Sequence, residues 1–270
     1  MPPDISVIIL NWNTAQLTHN CLTALLTTTA TRTFEFIVVD NASTDGSVDK
    51  IRTLWPDLQV LESAQNLGFA GGNNLGLRQA SGRYTVLLNS DTLASTRALE
   101  ILADFLDKHP EVGAVGPRLR LPNGQAQPYA FGADPTPLYL LRRAVSALLW
   151  RRALHNWETE QSLEVEWVSG ACLMARRAAY EQAGLLDENF FMYFEDNDWC
   201  LRFRQQGWKV AYHPLAAITH LGGQSRRQNA AAQAAYDASL RYFYRKHYSR
   251  LAQFWLALFL PLYRLVYPTV

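Results

Sequence analysis

The sequence predicts an α/β fold, a mostly parallel central sheet flanked by helices, with a C-terminal helical and apolar extension. Three observations predict it. Short β-branched runs alternate with helix-like stretches through the first half of the chain, the pattern of parallel strands joined by crossover helices. Helical stretches follow polar or glycine-rich turns at strand ends, the edge at which such sheets bind ligands. At 270 residues, 49% hydrophobic and 18% charged, the chain can bury a large core, which excludes a disordered or collagen-like protein.

The elements follow in order. The apolar run at 5–10 is the first strand and 14–26 its helix. A second strand at 34–39 leads through small polar residues, suited to turning and capping, into a helix at 47–54. A short strand at 59–62 precedes a glycine-rich turn and a helix expected at 72–80. The strand at 84–88 is followed by a helix at 95–108, with Ser95 placed to cap it, and by a strand at 112–117. Residues 121–137 are rich in Pro, Gly and Gln, and an arginine-flanked apolar segment follows before the pattern resumes at Trp167. We read 119–166 as an insertion within a domain spanning 1–228, and 229–270 as a C-terminal helical extension.

Composition excludes several functions. Lys+Arg 25 against Asp+Glu 24 leaves a net charge of +1, without the basic field of a nucleic-acid binder. Cys21, Cys172 and Cys200 are few and unclustered, which argues against a disulfide framework or a cysteine zinc site and suits a reducing cytosol. The N-terminus lacks the basic and apolar regions of a secretory signal, so a cytoplasmic location is expected.

Five polar clusters stand where strands end or helices begin. SVIILNWN at 6–13 carries Asn11 and Asn13 to the sheet edge, and the strand before NASTDGS ends in Asp40. A carboxylate there can accept hydrogen bonds from a base imide or a ribose hydroxyl; the alternative is that Asp40, Ser43 and Asp45 only cap and turn. NLGFAGGNNLG at 66–76 invites a phosphate-cradle reading, but Ala70 and Asn73 occupy glycine positions of the dinucleotide fingerprint and no P-loop lysine follows. YTVLLNSDT at 84–92 ends in Asn89, Ser90 and Asp91, carboxylate chemistry that suits a hard divalent cation sharing phosphate oxygens and water, or a plain polar turn. FFMYFEDNDWCLR at 190–202 opens a helix on which Asp198 and Arg202 can pair, while Asp196, sharing a face with Cys200 and Phe203, would gain basicity from partial burial. The acids there can also simply complement the helix dipole. A lone histidine, His220, precedes a Gly-Gly turn, and its case as a ligand depends on Asp91.

Taken in order, VDNASTDGS, NLGFAGGNNLG, LLNSDT, WVSGACLMARR, FFMYFEDNDWCLR and HLGGQS resemble family-2 glycosyltransferases, inverting enzymes of GT-A fold, and most closely bacterial rhamnosyltransferases. The resemblance covers residues 6–226. It implies that Asp40, with Asn11 and Asn13 nearby, binds the donor nucleotide, and that Asp91 and His220 hold a divalent metal, Mg2+ or Mn2+; Asn89 is placed on the donor side, and Asn66 and Asn74 either bond donor groups or equally well pack the glycine-rich loop. It implies Asp196 as catalytic base, with Trp167, Gly170 and Glu195 on the acceptor side. Asn89 departs from the family's frequent aspartate, so the metal would rest on fewer carboxylates. The implied partners are a dTDP- or UDP-sugar donor, dTDP-rhamnose first, and a polysaccharide or lipid-linked saccharide acceptor. UDP-hexose or N-acetylhexosamine transfer, and a non-catalytic nucleotide- or glycan-binding module of the same fold, are the alternatives.

Two segments bear on the acceptor. Leu138, Leu141, Val145, Leu148 and Leu149 recur at helical spacing between Arg142, Arg143, Arg151 and Arg152, the composition of an interfacial amphipathic helix. Arg241, Arg245, Lys246 and Arg250 likewise precede an apolar tail too short to span a bilayer and closed by Arg264. Either contact with the inner face of the cytoplasmic membrane or packing on the protein itself or on a second copy in a homodimer accounts for them.

Overall fold

The structure, a computed structural model, describes residues 2–150, 152–222 and 230–266. Arg151, the GQS end of the HLGGQS motif, Asn229 and the last four residues of the tail lie outside the described residues. The N-terminal half runs β1 (Ile5–Asn11), α1 (Ala15–Leu26), β2 (Phe34–Asp40), α2 (Ser47–Leu54), β3 (Gln59–Glu62), α3 (Gly68–Gln79), β4 (Tyr84–Asn89), β5 (Thr92–Leu93), α4 (Thr96–Lys108) and β6 (Val112–Arg120). The middle adds β7 (Phe131–Gly132), α5 (Pro137–Trp150), β8 (Leu163–Glu164), β9 (Trp167–Val168), β10 (Cys172–Arg176) and α6 (Arg177–Ala183). The chain continues with α7 (Glu195–Gln205), β11 (Lys209–His220), α8 (Ala230–His247) and α9 (Arg250–Val266).

One large sheet takes the order β3-β2-β1-β4-β10-β6-β11-β5, with β8 paired on β11. Strands β3, β2, β1 and β4 are mutually parallel, as are β6 and β11, while β10 runs against both its neighbours. Helices cover the sheet, so Ile5, Val7, Ile8 and Ile9 of β1 are all fully buried, odd and even positions alike. Register levels the strand ends: Asn11 stands opposite Asp40, and Leu10 opposite Asn89. That edge lies where strand order reverses around β1, the position at which open α/β sheets form their ligand crevice. Ser95 caps α4 as its position predicts, accepting from Ala98 N at 3.2 Å.

Two elements run beyond expectation: β6 continues to Arg120, past the predicted end at 117 and into the segment read as an insertion, and α3 starts at Gly68, four residues before the predicted start at 72. The glycines serve packing. A Cβ on Gly68 would collide with the Phe191 carbonyl oxygen, and one on Gly76 would lie 2.5 Å from Ile8 Cγ2 on the sheet. Tertiary contact thus overrides the poor helix propensity of glycine.

The insertion and the extension fold together. Leu140 and Ala144 of α5 share a second core with Leu240 and Phe243 of α8, Leu256 and Leu260 of α9, and Phe190 and Phe194 from the loop before α7. The C-terminal helices therefore pack on the segment that presents Asp196.

Candidate active site

At the ends of β1 and β2 the polar atoms are organised by one another. Asn11 Nδ2 donates to Asp40 Oδ1 at 2.7 Å and Ser43 Oγ at 3.0 Å, while its Oδ1 accepts from Thr14 and Thr18 hydroxyls at 2.8 and 2.7 Å. Asp40 Oδ2 accepts from Ser43 N at 2.9 Å. Asn13, in the left-handed region at φ 52°, accepts from Thr44 N at 2.8 Å. Asn11 is fully buried, so its role in this geometry is to hold Asp40. Asn66 and Asn74 brace the glycine-rich helix and do not line the cleft. Asn66 Oδ1 accepts from Asn41 Nδ2 and Gly68 N, both at 2.9 Å, and the buried Asn74 amide bonds to Leu186 O, Leu186 N and Glu188.

Strand pairing brings Asp91 to His220. β5 pairs antiparallel with the end of β11, His220 opposite Thr92, and Leu221 N donates to Asp91 O at 2.8 Å. His220 Nε2 lies 3.0 Å from Asp91 Oδ1, and its Nδ1 is 2.6 Å from Gln127 Oε1. The Gln127 amide and the Asp91 carboxylate hold the ring between them, Nδ1 towards the amide and Nε2 towards the carboxylate, as an outer hydrogen-bond partner orients a metal-ligating histidine. Among the described residues no group of three or more His, Cys, Asp or Glu forms a metal cluster. A carboxylate and an imidazole on one cleft wall nevertheless fit a divalent cation that takes its remaining ligands from a diphosphate and water.

Asp196 sits in the first turn of α7. Tyr193 and Phe194, immediately before it, both hold positive φ, 71° and 67°, which is strained for large residues. The strain is held by packing: Phe190 and Phe194 are buried in the second core, and Phe69 N at the start of α3 donates to Phe191 O at 2.7 Å. Asp196 Oδ2 accepts from Gly170 N at 2.9 Å, and Oδ1 from Asn197 N at 2.8 Å. Burial pushes the Asp196 carboxyl above its ordinary range, against the opposing pull of those two N–H groups. Glu195 is pushed well above its range by burial and then by the charge of Asp196, and its Oε2 has no hydrogen-bond partner among the described residues. Gly170 lies close to the Phe69 ring: a Cβ there would lie 2.9 Å from Phe69 Cζ, so a larger residue would have to move that ring.

Asn89, Asp91, Trp167, Gly170, Glu195, Asp196 and His220 line a single cleft. The cleft also contains residues that sequence reasoning missed: Gln127, Tyr129 and Arg143, all from the insertion. Arg143 Nη2 donates to the Tyr129 hydroxyl at 2.7 Å and its guanidinium lies over that ring, 4.7 Å from the centroid. The arginine was visible only as a flank of an apolar helix, and nothing local marks Gln127 as the partner of a histidine 93 residues away.

The sheet, its crevice and the cleft carboxylates fit the expected GT-A glycosyltransferase class, and comparison with known proteins bears on it directly. Residues 6–131 match the family described as Glycosyl transferase family 2. The chain is 30% identical over 234 residues to the N-acetylglucosaminyl-diphospho-decaprenol L-rhamnosyltransferase of Mycobacterium tuberculosis, covering 78% of this chain and 74% of that protein. It is 29% identical over 228 residues to a low-salt glycan biosynthesis hexosyltransferase of Haloferax volcanii, covering 82% of this chain and 68% of that one. Among solved structures it resembles the mannosyltransferase of Pyrobaculum calidifontis in complex with GDP-Man and Mn2+, with TM-score 0.58, 19% identity, and coverage of 98% of this chain and 83% of that one. The chain belongs to glycosyl transferase family 2.

Proposed function

We propose that this chain is an inverting glycosyltransferase that moves a sugar from a nucleotide diphosphate, dTDP-rhamnose first, to a polysaccharide or lipid-linked oligosaccharide on the cytoplasmic side of the membrane. The observation that carries this is the lining of one cleft by Asp196, held by the Gly170 backbone N–H, and by the Asp91–His220 pair. Asp196 takes the proton from an acceptor hydroxyl as that oxygen attacks the anomeric carbon from the face opposite the diphosphate. The new C–O bond forms as the bond to the diphosphate breaks and its electron pair leaves with the phosphate. One base suffices, and the anomeric configuration inverts.

Asp40, fixed by Asn11 and Ser43, suits the nucleoside, with Asn13 and Asn89 beside the same sheet edge. Asp91 and His220 would hold Mg2+ or Mn2+, which when bound supplies electrostatic stabilisation of the departing diphosphate. Trp167, Gly170 and Glu195 form the acceptor side of the cleft. The rhamnosyltransferase relative supports rhamnose as the sugar, and the hexosyltransferase relative, at 29% identity, supports a hexose, with UDP-hexose as the second reading.

The test is a thermal-shift panel of dTDP, UDP, GDP and CDP with and without Mg2+ or Mn2+, followed by NMR assignment of the product's anomeric configuration with the sugar donor that responds. A metal-dependent shift with a pyrimidine diphosphate and an inverted product are expected. No nucleotide response from folded protein, or a retained configuration, overturns the reading.

A further inference from the structure

Helices α5 and α9 each carry two apolar faces, and the protein covers only one of them. Leu140 and Ala144 of α5 meet Leu256 and Leu260 of α9 in the second core. On the outer side of α5, Leu138, Leu141, Leu148, Leu149 and Trp150 are 48% to 68% exposed. On the outer side of α9, Leu251, Phe254, Trp255 and Leu258 are 53% to 66% exposed, at the i, i+3, i+4, i+7 spacing of one helical stripe. Exposed leucines scattered singly mean nothing, but two packed helices that both turn such a stripe outward mark an interaction surface.

Charge decides what covers it. Neither helix contains an Asp or Glu. Arg142, Arg152 and Arg250 are exposed beside the stripes, in a chain whose net charge is only +1. A self-complementary contact would pair this face with one that carries arginines but, on these helices, no acid, whereas an anionic lipid surface complements them. Trp150 and Trp255 add the amphipathic rings that favour the headgroup level. Among the described residues no helix is long and apolar enough to cross a membrane, so the fit is to lying in the interface.

We propose that the α5–α9 face docks on an anionic bilayer. The inner side of α5 also supplies Tyr139, Leu140 and Arg143 to the cleft wall, so docking sets the cleft beside the headgroups. Resting on the transferase reading, this makes the acceptor a saccharide carried by a lipid of that same bilayer.

The experiment is vesicle flotation of the full chain with phosphatidylcholine alone and with added phosphatidylglycerol, comparing wild type with the Leu148→Glu, Leu258→Glu double variant. Both leucines are exposed, at 68% and 53%, and unchanged thermal melting of the variant verifies its fold. Wild type is expected to float with the anionic vesicles and to release at high salt, and the variant to lose about a hundredfold in vesicle affinity. Wild type that stays with the lipid-free fraction on both compositions overturns the proposal. So does a lipid-independent dimer in sedimentation that the double variant splits, which would make this face a homodimer interface. A metal-dependent nucleotide response without vesicle binding removes docking and leaves the transferase, while vesicle binding without a nucleotide response does the reverse.

Discussion

Asp91 and His220 stand 129 residues apart in sequence and 3.0 Å apart in space, carboxylate Oδ1 to imidazole Nε2. The two-residue strand β5 makes this contact by pairing with the last turnless stretch of β11, and Gln127 behind the ring sets which nitrogen faces the carboxylate. His220→Ala should therefore weaken metal-dependent binding of a nucleoside diphosphate, and Gln127→Ala should weaken it by about ten- to a hundredfold through loss of ring orientation. Titration calorimetry with the nucleotide and Mn2+ measures both. Metal-dependent affinity in His220→Ala equal to wild type would remove the histidine from the site.

Asp196→Asn should leave nucleotide affinity nearly intact and reduce kcat by at least about a hundredfold, the loss expected when a general base is removed. Because burial raises the Asp196 carboxyl, the wild-type rate should fall as pH drops through a value above the ordinary aspartate pKa of about 3.9. The acidic limb of the kcat profile is the measurement. A limb unchanged in the residual activity of Asp196→Asn would assign it to another group.

Glu195 makes a stability prediction of definite sign. Its folded pKa lies above the unfolded value of about 4.3, so the folded state loses stability as pH rises from there towards the raised pKa. Glu195→Gln removes that ionisation. The variant should gain melting temperature relative to wild type as pH is raised from acid to neutral, and a constant difference across that range would contradict the burial argument.

Much of this architecture is legible in the sequence because the signals are local. The run ISVIILN reports its own burial, and Ser95 and Asp198–Arg202 report a cap and an i, i+4 pair that the structure contains. The resemblance points to Asp91, Asp196 and His220, which do line one cleft. What is not legible depends on folding the insertion and extension back over the site. Gln127 reaches His220 only because residues 121–127 turn back along β6, with Gln127 N donating to Leu119 O at 2.8 Å. The start of α3 reads as a loop because the Phe191 carbonyl that requires glycine at 68, like Leu10 against Gly72 and Ile8 against Gly76, is distant in sequence.

Asp198 is the strongest case of such a distant partnership. Fully buried on α7, it takes Arg202 Nε at 2.8 Å and, from α8, Lys246 Nζ and His247 Nε2, both at 2.7 Å. Burial pushes this carboxyl up, but His247, Arg202 and Lys246 outweigh it and hold it below the ordinary range. Stability from a depressed carboxylate is present above the unfolded pKa of about 3.9 and is lost as pH falls through the folded value. Asp198→Ala, which removes the only carboxylate paired with the largely buried Arg202 among the described residues while Lys246 keeps Asp187, should cost about 3–5 kcal/mol in denaturant unfolding at neutral pH. That loss should shrink in acid, and a pH-independent loss would assign it to packing.

Gly68 and Gly207 separate backbone strain from site geometry. Both hold positive φ, +72° and +86°, so alanine at either position meets the left-handed penalty of about 1–2 kcal/mol. Around Gly207 a Cβ meets nothing within 4 Å, whereas at Gly68 it meets the Phe191 carbonyl, a backbone atom that cannot rotate away. Phe191 belongs to the loop whose strained Tyr193 and Phe194 aim Asp196. Gly207→Ala should therefore lose about that penalty in unfolding free energy with kcat unchanged. Gly68→Ala should lose more and also lower kcat, because relieving the collision displaces the loop. Equal stability losses with equal kcat in the two variants would show that the α3 contact does not position the base.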